Sequence, residues 1–459
     1  MARKAKSFRI GRVRGDLRGK VWYLTYFEQG QRRRPKVGPD QSTAKQMAAQ
    51  INAELESGTT ATLSFQAITI EELRQKWLDH HEHVARSSVA TINRYRTATD
   101  HLLEFGKTSR IPRLTSQFRS DHAELFVRYL RTIEVHPNGH PNAPLRTLRD
   151  KGIQFILQTC RSLFAFAIQK RHLPPYADNP FSALNVDRMP IENSKPIRLF
   201  APDEERKFLL ACDDWQFPLF LTLMLTGMRP GELTHLLFPE DTGIEFDELV
   251  IRNRPELGWQ IKTRRERAIP VHSVLRQVLK VTTPSRSSGV LFRRRRFQSG
   301  GIKPLLEGMT SEQLIREAGS RLGAAKANSE TPLTRTAQLK TRRTVWVDAG
   351  IIRTDRIRNE LIQVCESAQL GNFTSPKMLR HLFATTLQDA NVDPLIRSEL
   401  MGHATGNDSR KQPLGMTGVY THTRPETKRR QLEEALKSHT TVGIAEEWLS
   451  RHRESADFR

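Results

Sequence analysis

Five prolines between Pro174 and Pro196 divide this chain of 459 residues into two long parts. Proline cannot continue a helix or donate to a sheet ladder, and the dipeptide Asn179-Pro180 inside the stretch is typical of a turn. We therefore interpret the stretch as a linker. The length of the chain also exceeds what one ordinary core accommodates, so we expect roughly two to four domains.

The segment before the linker, residues 66–185, repeats apolar residues at helical spacing. One stripe begins at Ile70, a second begins at Ile92, and a longer one runs from Ile153 to Ala167. Spacings of three and four residues bring side chains to one face of a helix. The pattern predicts a helical domain whose stripes form a core rather than a cofactor site.

The first 60 residues contain strand-like patterns and one helical pattern. The segment Val21–Phe27 is β-branched and aromatic, which is typical of a strand, and the basic stretches on either side predict two more. A helical pattern follows, with Ser42 as a candidate N-cap and Gly58 beyond its end. We therefore predict a module of three short strands and one helix in residues 1–60.

This module carries much of the excess positive charge of the chain. Residues 1–36 contain twelve lysines and arginines against two acidic residues, and the whole chain has a formal net charge of +23. A protein this basic usually has a polyanion as its partner, and nucleic acid is the commonest one. We expect the sheet to bind a groove of DNA, with a basic tail that makes only nonspecific phosphate contacts as the alternative. The candidate DNA-binding residues are Arg32, Arg33, Arg34 and Lys36.

Cysteine and hydropathy patterns restrict the class of protein further. Apolar residues make up 37% of the chain, which is enough to bury real cores. The three cysteines are scattered, so we expect neither a disulfide framework nor a zinc site, but a reducing compartment. We expect no signal peptide, and no run approaches the ~18 apolar residues that a membrane span needs. These features predict a cytoplasmic protein, associated with the nucleoid if the host is bacterial.

Beyond the linker the pattern becomes mixed. Helical segments near residues 203–213 and 218–226 precede strand-like segments at 248–252 and 260–271, and helices resume toward the C-terminus. We predict a mixed α+β domain over residues 195–440, followed by a C-terminal tail over residues 441–459. The fold class of the whole chain is therefore multidomain and mainly α with small β-sheets.

Two arginines in this last domain have sequence surroundings that hold a side chain in place. Arg229 follows a long apolar pattern that ends at Gly227, and it precedes the acidic residue Glu232. Arg380 lies three residues after Lys377, so the two share one face of a predicted helix. The guanidinium fork matches two oxygens of a phosphate. For Arg229 a purely structural pair with the glutamate is the alternative.

A histidine and a tyrosine follow these cations along the chain. His403 comes directly after Met401-Gly402, where glycine allows a close backbone approach; a structural helix-end histidine is the alternative. Tyr420 lies between small and β-branched residues, where a tyrosine taken alone would be a packing residue.

Taken together, these segments resemble the tyrosine recombinase or phage integrase family over residues 195–440. The helical segment and the basic module before them also resemble the core-site-binding and arm-binding domains of family members. The matching motifs are TGMRPGEL with Arg229, IKTRRERAIPVH with Lys262, KMLRHLFAT with Arg380, LMGH with His403 and VYTH with Tyr420.

The resemblance implies an enzyme that breaks and rejoins DNA, with Tyr420 as the nucleophile of a 3′-phosphotyrosine intermediate. Arg229 and Arg380 would bind the nonbridging oxygens, where negative charge builds up. Lys262 would protonate the leaving 5′-oxygen. No cofactor and no metal is implied.

Three further residues have supporting roles in the same scheme. Lys377 and His403 would donate hydrogen bonds to the phosphate oxygens, and Glu232 is the acidic residue that accompanies the first arginine.

The resemblance also implies partners and a biological task. The partner is duplex DNA, on which a homo-tetramer would assemble at paired sites, with accessory DNA-bending proteins as a further class of partner. The task would be integration or excision of a mobile element. The segments Glu433–Leu436 and Val442–Leu449 are expected to dock on the next protomer.

The chain departs from the common family pattern at two places before the histidine. Lys377 stands where histidine is commoner in the family. The interval between Lys262 and Lys377 is long, which predicts an insertion near residues 293–350. Arg294 and Arg295 in this segment are candidate phosphate contacts, and a solvated excursion is the alternative.

A third departure concerns the nucleophile. The interval between His403 and Tyr420 is long, so the sequence leaves open whether this tyrosine acts in its own site or in a neighbour's. Of the six tyrosines in the chain, Tyr420 is the one that lies beyond the linker. The alternatives to a recombinase are a type IB-like topoisomerase and a catalytically inactive DNA-binding regulator.

Overall fold

The computed structural model describes most of the chain as two compact units, residues 1–195 and 196–459. The division falls at the end of the proline-rich stretch. The described residues are 6–28, 30–58, 61, 65–108, 111–139, 142–174, 177–192, 197–283, 287–298, 301–371, 373–403, 423–437 and 439–457.

The first unit begins with an antiparallel sheet of five strands instead of the predicted three. Gly11, in the left-handed region with φ of 53°, breaks the first basic stretch into a hairpin, and Pro35 separates the last two strands. One face of the sheet packs on α1 through Val13, Leu24 and Tyr26. The elements are β1 (Ser7–Ile10), β2 (Val13–Arg18), β3 (Val21–Glu28), β4 (Gln31–Arg33), β5 (Lys36–Gly38) and α1 (Gln41–Glu56).

The rest of the first unit is the predicted helical bundle. Its stripes form one core that contains Trp77, Phe126, Phe164 and Phe181, all buried. Thr69 caps α2 through a reciprocal pair of hydrogen bonds with Glu72. The elements are α2 (Ile70–Asp79), α3 (Val89–Gly106), α4 (Ser120–Thr132), the two-stranded ladder β6 (Glu134–Val135) with β7 (Arg146–Thr147), and α5 (Asp150–Gln169).

The second unit packs helices around a large apolar core with small two-stranded ladders at its side. The ladders are β8 with β11 and β9 with β10, both antiparallel. The elements up to the predicted insertion are α6 (Pro202–Leu210), α7 (Gln216–Thr226), α8 (Pro230–Thr234), β8 (Leu237–Phe238), β9 (Glu248–Ile251), β10 (Arg267–Pro270), α9 (Ser273–Thr282) and β11 (Gly289–Val290).

The predicted insertion forms a helical hairpin with a small core of its own. That core joins Leu314 and Trp346 of the hairpin to Leu237 and Leu257 of the preceding segments. The segment is therefore folded onto the unit rather than being a solvated excursion. The remaining elements are α10 (Ser311–Ala327), α11 (Arg335–Asp348), α12 (Thr354–Ser367), α13 (Lys377–Asp389), α14 (Pro394–Met401), α15 (Pro425–Leu436) and α16 (Thr440–Asp457).

The C-terminal helices correct one expectation. The apolar residues that were expected to dock on another protomer are buried against their own chain, and the ring of Trp448 stacks on Phe217 with centroids 5.0 Å apart. Thr441 donates a hydrogen bond to the buried Glu205 at 2.8 Å. The prediction was wrong because an apolar stripe does not specify which chain covers it.

The architecture is mainly α with small sheets, which confirms the predicted fold class. Among the described residues, no helix combines the length and the apolar composition needed to cross a membrane.

Candidate active site

Arg229 is held where the buried helix α7 turns into α8. Gly227 ends α7 in the left-handed region with φ of 59°, and the ring of Phe383 lies only 2.2 Å from where a Cβ would stand. Only glycine fits such a position. Arg229 is the N-cap of α8, and its backbone N–H donates to Glu232 Oε2 at 2.8 Å. The predicted rigid setting of this arginine is therefore present.

Glu232 lies between two arginines and is almost fully buried. Arg229 Nη1 donates to its Oε1 at 2.7 Å, and Arg267 Nη2 donates to its Oε2 at 2.7 Å. Burial alone would raise the pKa of this carboxyl, but the hydrogen bond and charge of Arg267 and the hydrogen bonds from Arg229 outweigh it and lower the pKa. The carboxylate thus stays ionised and orients both guanidinium groups.

Arg380 is buried on α13 and bridges two backbone carbonyls. Its Nη1 donates to Gly227 O at 2.7 Å, and its Nη2 donates to Met401 O. Burial lowers the pKa of Arg380 to about 10, the charges of Arg229 and Arg267 lower it too, and Glu232 opposes them. A guanidinium carries more N–H donors than these two contacts use, and the remainder stay available to a ligand.

His403 follows α14 beside this cluster. Its backbone N–H donates to Ser398 O at 3.0 Å, which ties it to the preceding helix. Burial and the positive charges of Arg380, Arg229 and Arg267 lower the pKa of its imidazole. The ring is therefore neutral near pH 7 and can donate one hydrogen bond and accept another.

The two candidate lysines are exposed. Lys377 is the first residue of α13, one turn before Arg380, at the positive end of the helix, where a cation is unfavourable unless an anion offsets it. Lys262 lies in the connection between the paired strands β9 and β10, as expected for a hairpin lysine. No contact within the described part of the chain joins the Lys262 side chain to the arginines.

Two residues at this site were not singled out from the sequence. Arg267 lies on β10 with a side chain that is only 8% exposed, and it also donates from Nε to Leu400 O at 3.0 Å. It shares its strand face with the buried Ile269. A charged residue on the same face of a predicted strand as buried apolar residues is the sequence feature that could have identified it. His381 has a buried Nε2 atom without a hydrogen-bond partner among the described residues. No sequence pattern distinguished it from the neighbouring core residues.

The arrangement has the chemistry of an oxyanion site. Arg229 and Arg267 both donate to Glu232, whereas Arg380 donates to two backbone carbonyls, so three positive charges face one carboxylate and positive charge remains in excess. Guanidinium groups that are fixed by carbonyls and a carboxylate need little reorganisation when an anion binds. Within the described residues, no group of three acidic, histidine or cysteine side chains is placed to hold a metal ion.

The arginines of the segment predicted to be an insertion have intramolecular partners. Arg294 donates to the carbonyls of Ile351 and Val347 at 2.9 and 3.2 Å. Arg295 pairs with Asp213 and, at 2.9 Å, with Glu360. Arg294 thus holds the base of the helical hairpin, whereas Arg295 binds carboxylates before α7 and on α12, so a DNA phosphate would have to compete with these contacts.

The N-terminal candidates lie on or beside the sheet face opposite α1, which we call the basic sheet face. It comprises β-strand residues paired across the sheet: Arg9 with Arg14, Lys36 with Tyr23, and Arg32 with Phe27. The Phe27 side chain is 65% exposed there. Arg33 pairs with Glu28 at 3.6 Å, and Arg34 lies over the ring of Tyr23.

Tyr420 lies outside the described residues, so its expected role as nucleophile stays a prediction.

Comparisons with known proteins show which family this chain resembles. The Phage integrase family matches residues 198–427, half of the chain. None of the curated proteins compared matches.

A lambda integrase dimer bound to a COC' core site is 15% identical with a TM-score of 0.48, covering 89% of this chain and 98% of that chain. A lambda integrase tetramer bound to a Holliday junction is 14% identical with a TM-score of 0.47, covering 86% and 98%. A Tn1549 transposon integrase in complex with circular intermediate DNA is 18% identical with a TM-score of 0.45, covering 80% and 99%. Because the family match extends over half of the sequence, the chain belongs to the phage integrase family and is a tyrosine site-specific recombinase.

Proposed function

We propose that this recombinase cuts and rejoins duplex DNA through a covalent 3′-phosphotyrosine at Tyr420, in the integration or excision of a mobile element. The observation that carries the proposal is the arginine cluster. Its three guanidinium groups are oriented by one carboxylate and by backbone carbonyls, and they retain unused donors. Such a site suits a phosphodiester, whose nonbridging oxygens gain negative charge when it is attacked.

The chemical step follows from these groups. The Tyr420 oxygen attacks phosphorus and loses its proton to solvent, and the bond from phosphorus to the 5′-oxygen breaks. Arg229 and Arg380 bind the nonbridging oxygens, with a hydrogen bond from His403. Because one phosphate ester replaces another, attack by a free 5′-hydroxyl reverses the step and reseals the strand.

Proton delivery to the departing oxygen is assigned to Lys262. An alkoxide is a poor leaving group at neutral pH, so a positioned cationic acid raises the rate. Lys377 has the complementary role of a second donor to the phosphate, since a DNA anion would offset its unfavourable position at the start of α13. Glu232 supports the site by holding Arg229.

The remaining parts of the chain would bind DNA outside the cleavage point. We assign residues 1–60 to an arm-type DNA-binding module, residues 66–185 to a core-site-binding domain and residues 195–440 to catalysis. A homo-tetramer on paired DNA sites would carry out the exchange, with accessory DNA-bending proteins as further partners. Family membership and the net charge of +23 support a DNA substrate.

A trapping experiment tests this function. Duplexes tiled across the DNA that flanks the gene are given a nick, so that a short leaving strand diffuses away and a covalent complex accumulates. We expect a DNA adduct of the full-length protein on one tile and, with two intact partner sites, strand exchange. An adduct with relaxation but no exchange would favour a topoisomerase, and binding without any adduct would favour an inactive regulator.

The basic sheet face gives a separate prediction about salt. Arg32→Glu on this face should make the dependence of DNA affinity on salt shallower by about 1 to 2 in log–log slope, because each phosphate contact contributes about 0.9. Lys45→Glu is the matched control: it changes the net charge equally, but Lys45 is an exposed residue of α1, which packs on the opposite face. Binding to duplex DNA is measured between low and moderate salt. Equal slopes for the two variants would remove the sheet from the DNA interface.

A further inference from the structure

The inserted helical hairpin contacts the loop that carries Lys262. We call residues 252–266, between β9 and β10, the lysine loop. From α11, Trp346 Nε1 donates to Leu257 O at 3.0 Å, and Arg342 Nη1 donates to Pro255 O at 3.3 Å. Trp346 and Leu257 are both buried in the small core of the insertion. The insertion therefore supplies both hydrogen bonds and apolar contact to one side of the loop.

Glycine allows this close approach. Gly258 has φ of 69°, and a Cβ at this position would stand 2.7 Å from Leu339 Cδ1 of α11. The backbone of the lysine loop thus lies directly against side chains of the inserted helix, because glycine adds no side chain of its own at this point.

Trp346 also connects the lysine loop to the arginine site. His235 directly follows α8, and its ring stacks on Trp259 of the lysine loop with centroids 3.8 Å apart. The ring of Trp346 meets His235 edge-on at 4.8 Å. Burial lowers the pKa of His235 to about 4, so the neutral ring can donate from Nδ1 to Gly231 O at 2.8 Å. Trp346 therefore contacts both the loop and the ring that anchors it to α8.

Close to Lys262 the loop is held by one amide side chain. Asn253 Oδ1 accepts a hydrogen bond from the Ile261 backbone N–H at 2.9 Å, and its Nδ2 donates to Arg264 O at 3.0 Å. Ile261 is itself buried in the main core. The backbone on both sides of Lys262 is thereby fixed, while the side chain remains exposed.

We propose that Trp346 is a positioning residue for Lys262, and that the insertion serves to brace the lysine loop against α8. The inference rests on the proposed role of Lys262 as the proton donor. A long side chain on an exposed loop acts as an effective acid only if its backbone is fixed relative to the phosphate. The direct stack of Trp259 on His235 holds the loop on the α8 side, and the insertion braces the outer part of the loop and the His235 ring through Trp346 and Arg342.

A change of leaving group tests the inference with the full-length protein. We call the nicked duplex of the trapping experiment, whose short leaving strand diffuses away, a suicide duplex. When its scissile 5′-oxygen is replaced by sulfur, the leaving thiolate needs no proton, since the pKa of a thiol is about 8.5. Lys262→Ala should slow cleavage of the oxygen substrate at least about 100-fold and Trp346→Phe about 10-fold. Both variants should cleave the sulfur substrate at the wild-type rate. Asn253→Ala should follow the same pattern.

The controls separate positioning from general damage. Arg321→Gln breaks contacts to Glu317 and Asp348 inside the insertion without touching the lysine loop, so both substrates should react normally. Arg229→Ala should slow both substrates. If sulfur rescues Lys262→Ala while Trp346→Phe is equally slow on both substrates, or normal on both, the positioning role is wrong. If sulfur does not rescue Lys262→Ala, the assignment of the proton donor fails, and the positioning role fails with it.

Discussion

Replacing Arg380 by alanine is expected to slow DNA cleavage about 1,000-fold or more, because one fixed oxyanion donor is typically worth about 100- to 1,000-fold and this residue offers several. The free energy of unfolding should fall as well, for a separate reason. The carbonyls of Gly227 and Met401 lose a donor, which costs about 1–3 kcal/mol each. Relief of the repulsion from Arg229 and Arg267 offsets part of that cost.

Arg380→Lys should be nearly as inactive, since an ammonium cannot bridge two carbonyls and still present a planar pair of donors. The surroundings that lower the pKa of this arginine would lower that of a lysine as well. The matched control is Arg293→Lys, because Arg293 and Arg380 are both 6% exposed. Arg293 pairs with Glu307 in the inserted segment, at 2.6 Å. Single-turnover cleavage and thermal unfolding are measured for both, and a near-normal rate for Arg380→Lys would contradict a bridging role.

Glu232→Gln is expected to lower the free energy of unfolding of the second unit by about 3–5 kcal/mol, because it leaves the largely buried Arg267 and the half-buried Arg229 without their carboxylate. This corresponds to a fall in Tm of roughly 10 °C for a unit of this size. Cleavage should fall as well, since Arg229 and Arg267 both lose the acceptor that orients them. The measurement is thermal unfolding together with single-turnover cleavage.

Inorganic phosphate distinguishes this cause from a simple packing defect. If unpaired arginines destabilise the variant, millimolar phosphate should raise the Tm of Glu232→Gln more than that of the wild type.

The contribution of Glu232 to stability should also depend on pH. Its lowered pKa means that the stabilisation is present above the unfolded value near 4.5 and is lost as the pH falls through the folded value. A variant as stable as the wild type at pH 7 would show that the carboxylate is not needed.

The sequence predicted the parts of the site that depend on local patterns. The helical spacing of Lys377 and Arg380 and the buried stripe beside them are present in α13. The rigid turn at Arg229 followed from its flanking glycine and proline. Such features involve residues within a few positions of one another, where spacing determines geometry.

What the sequence did not predict depends on distant residues. Glu232 meets Arg267 35 residues later, and Arg380 meets Gly227 across 153 residues. No periodicity encodes such a pairing, so Arg267 was missed although its motif was recognised. The same reason explains the wrong expectation for Val442–Leu449, because an apolar stripe does not identify its cover. Two extra strands were missed because short turns split stretches that looked continuous.

The most direct test of the central claim is to identify the residue that becomes joined to DNA. The adduct trapped on a suicide duplex is digested with trypsin and nuclease, and the nucleotide-bearing peptide is sequenced by mass spectrometry. We predict the peptide of residues 412–428, whose only tyrosine is Tyr420, with no adduct from Tyr420→Phe and a normal one from Tyr129→Phe. A nucleotide on any other residue, or an adduct that persists in Tyr420→Phe, would contradict the proposed mechanism.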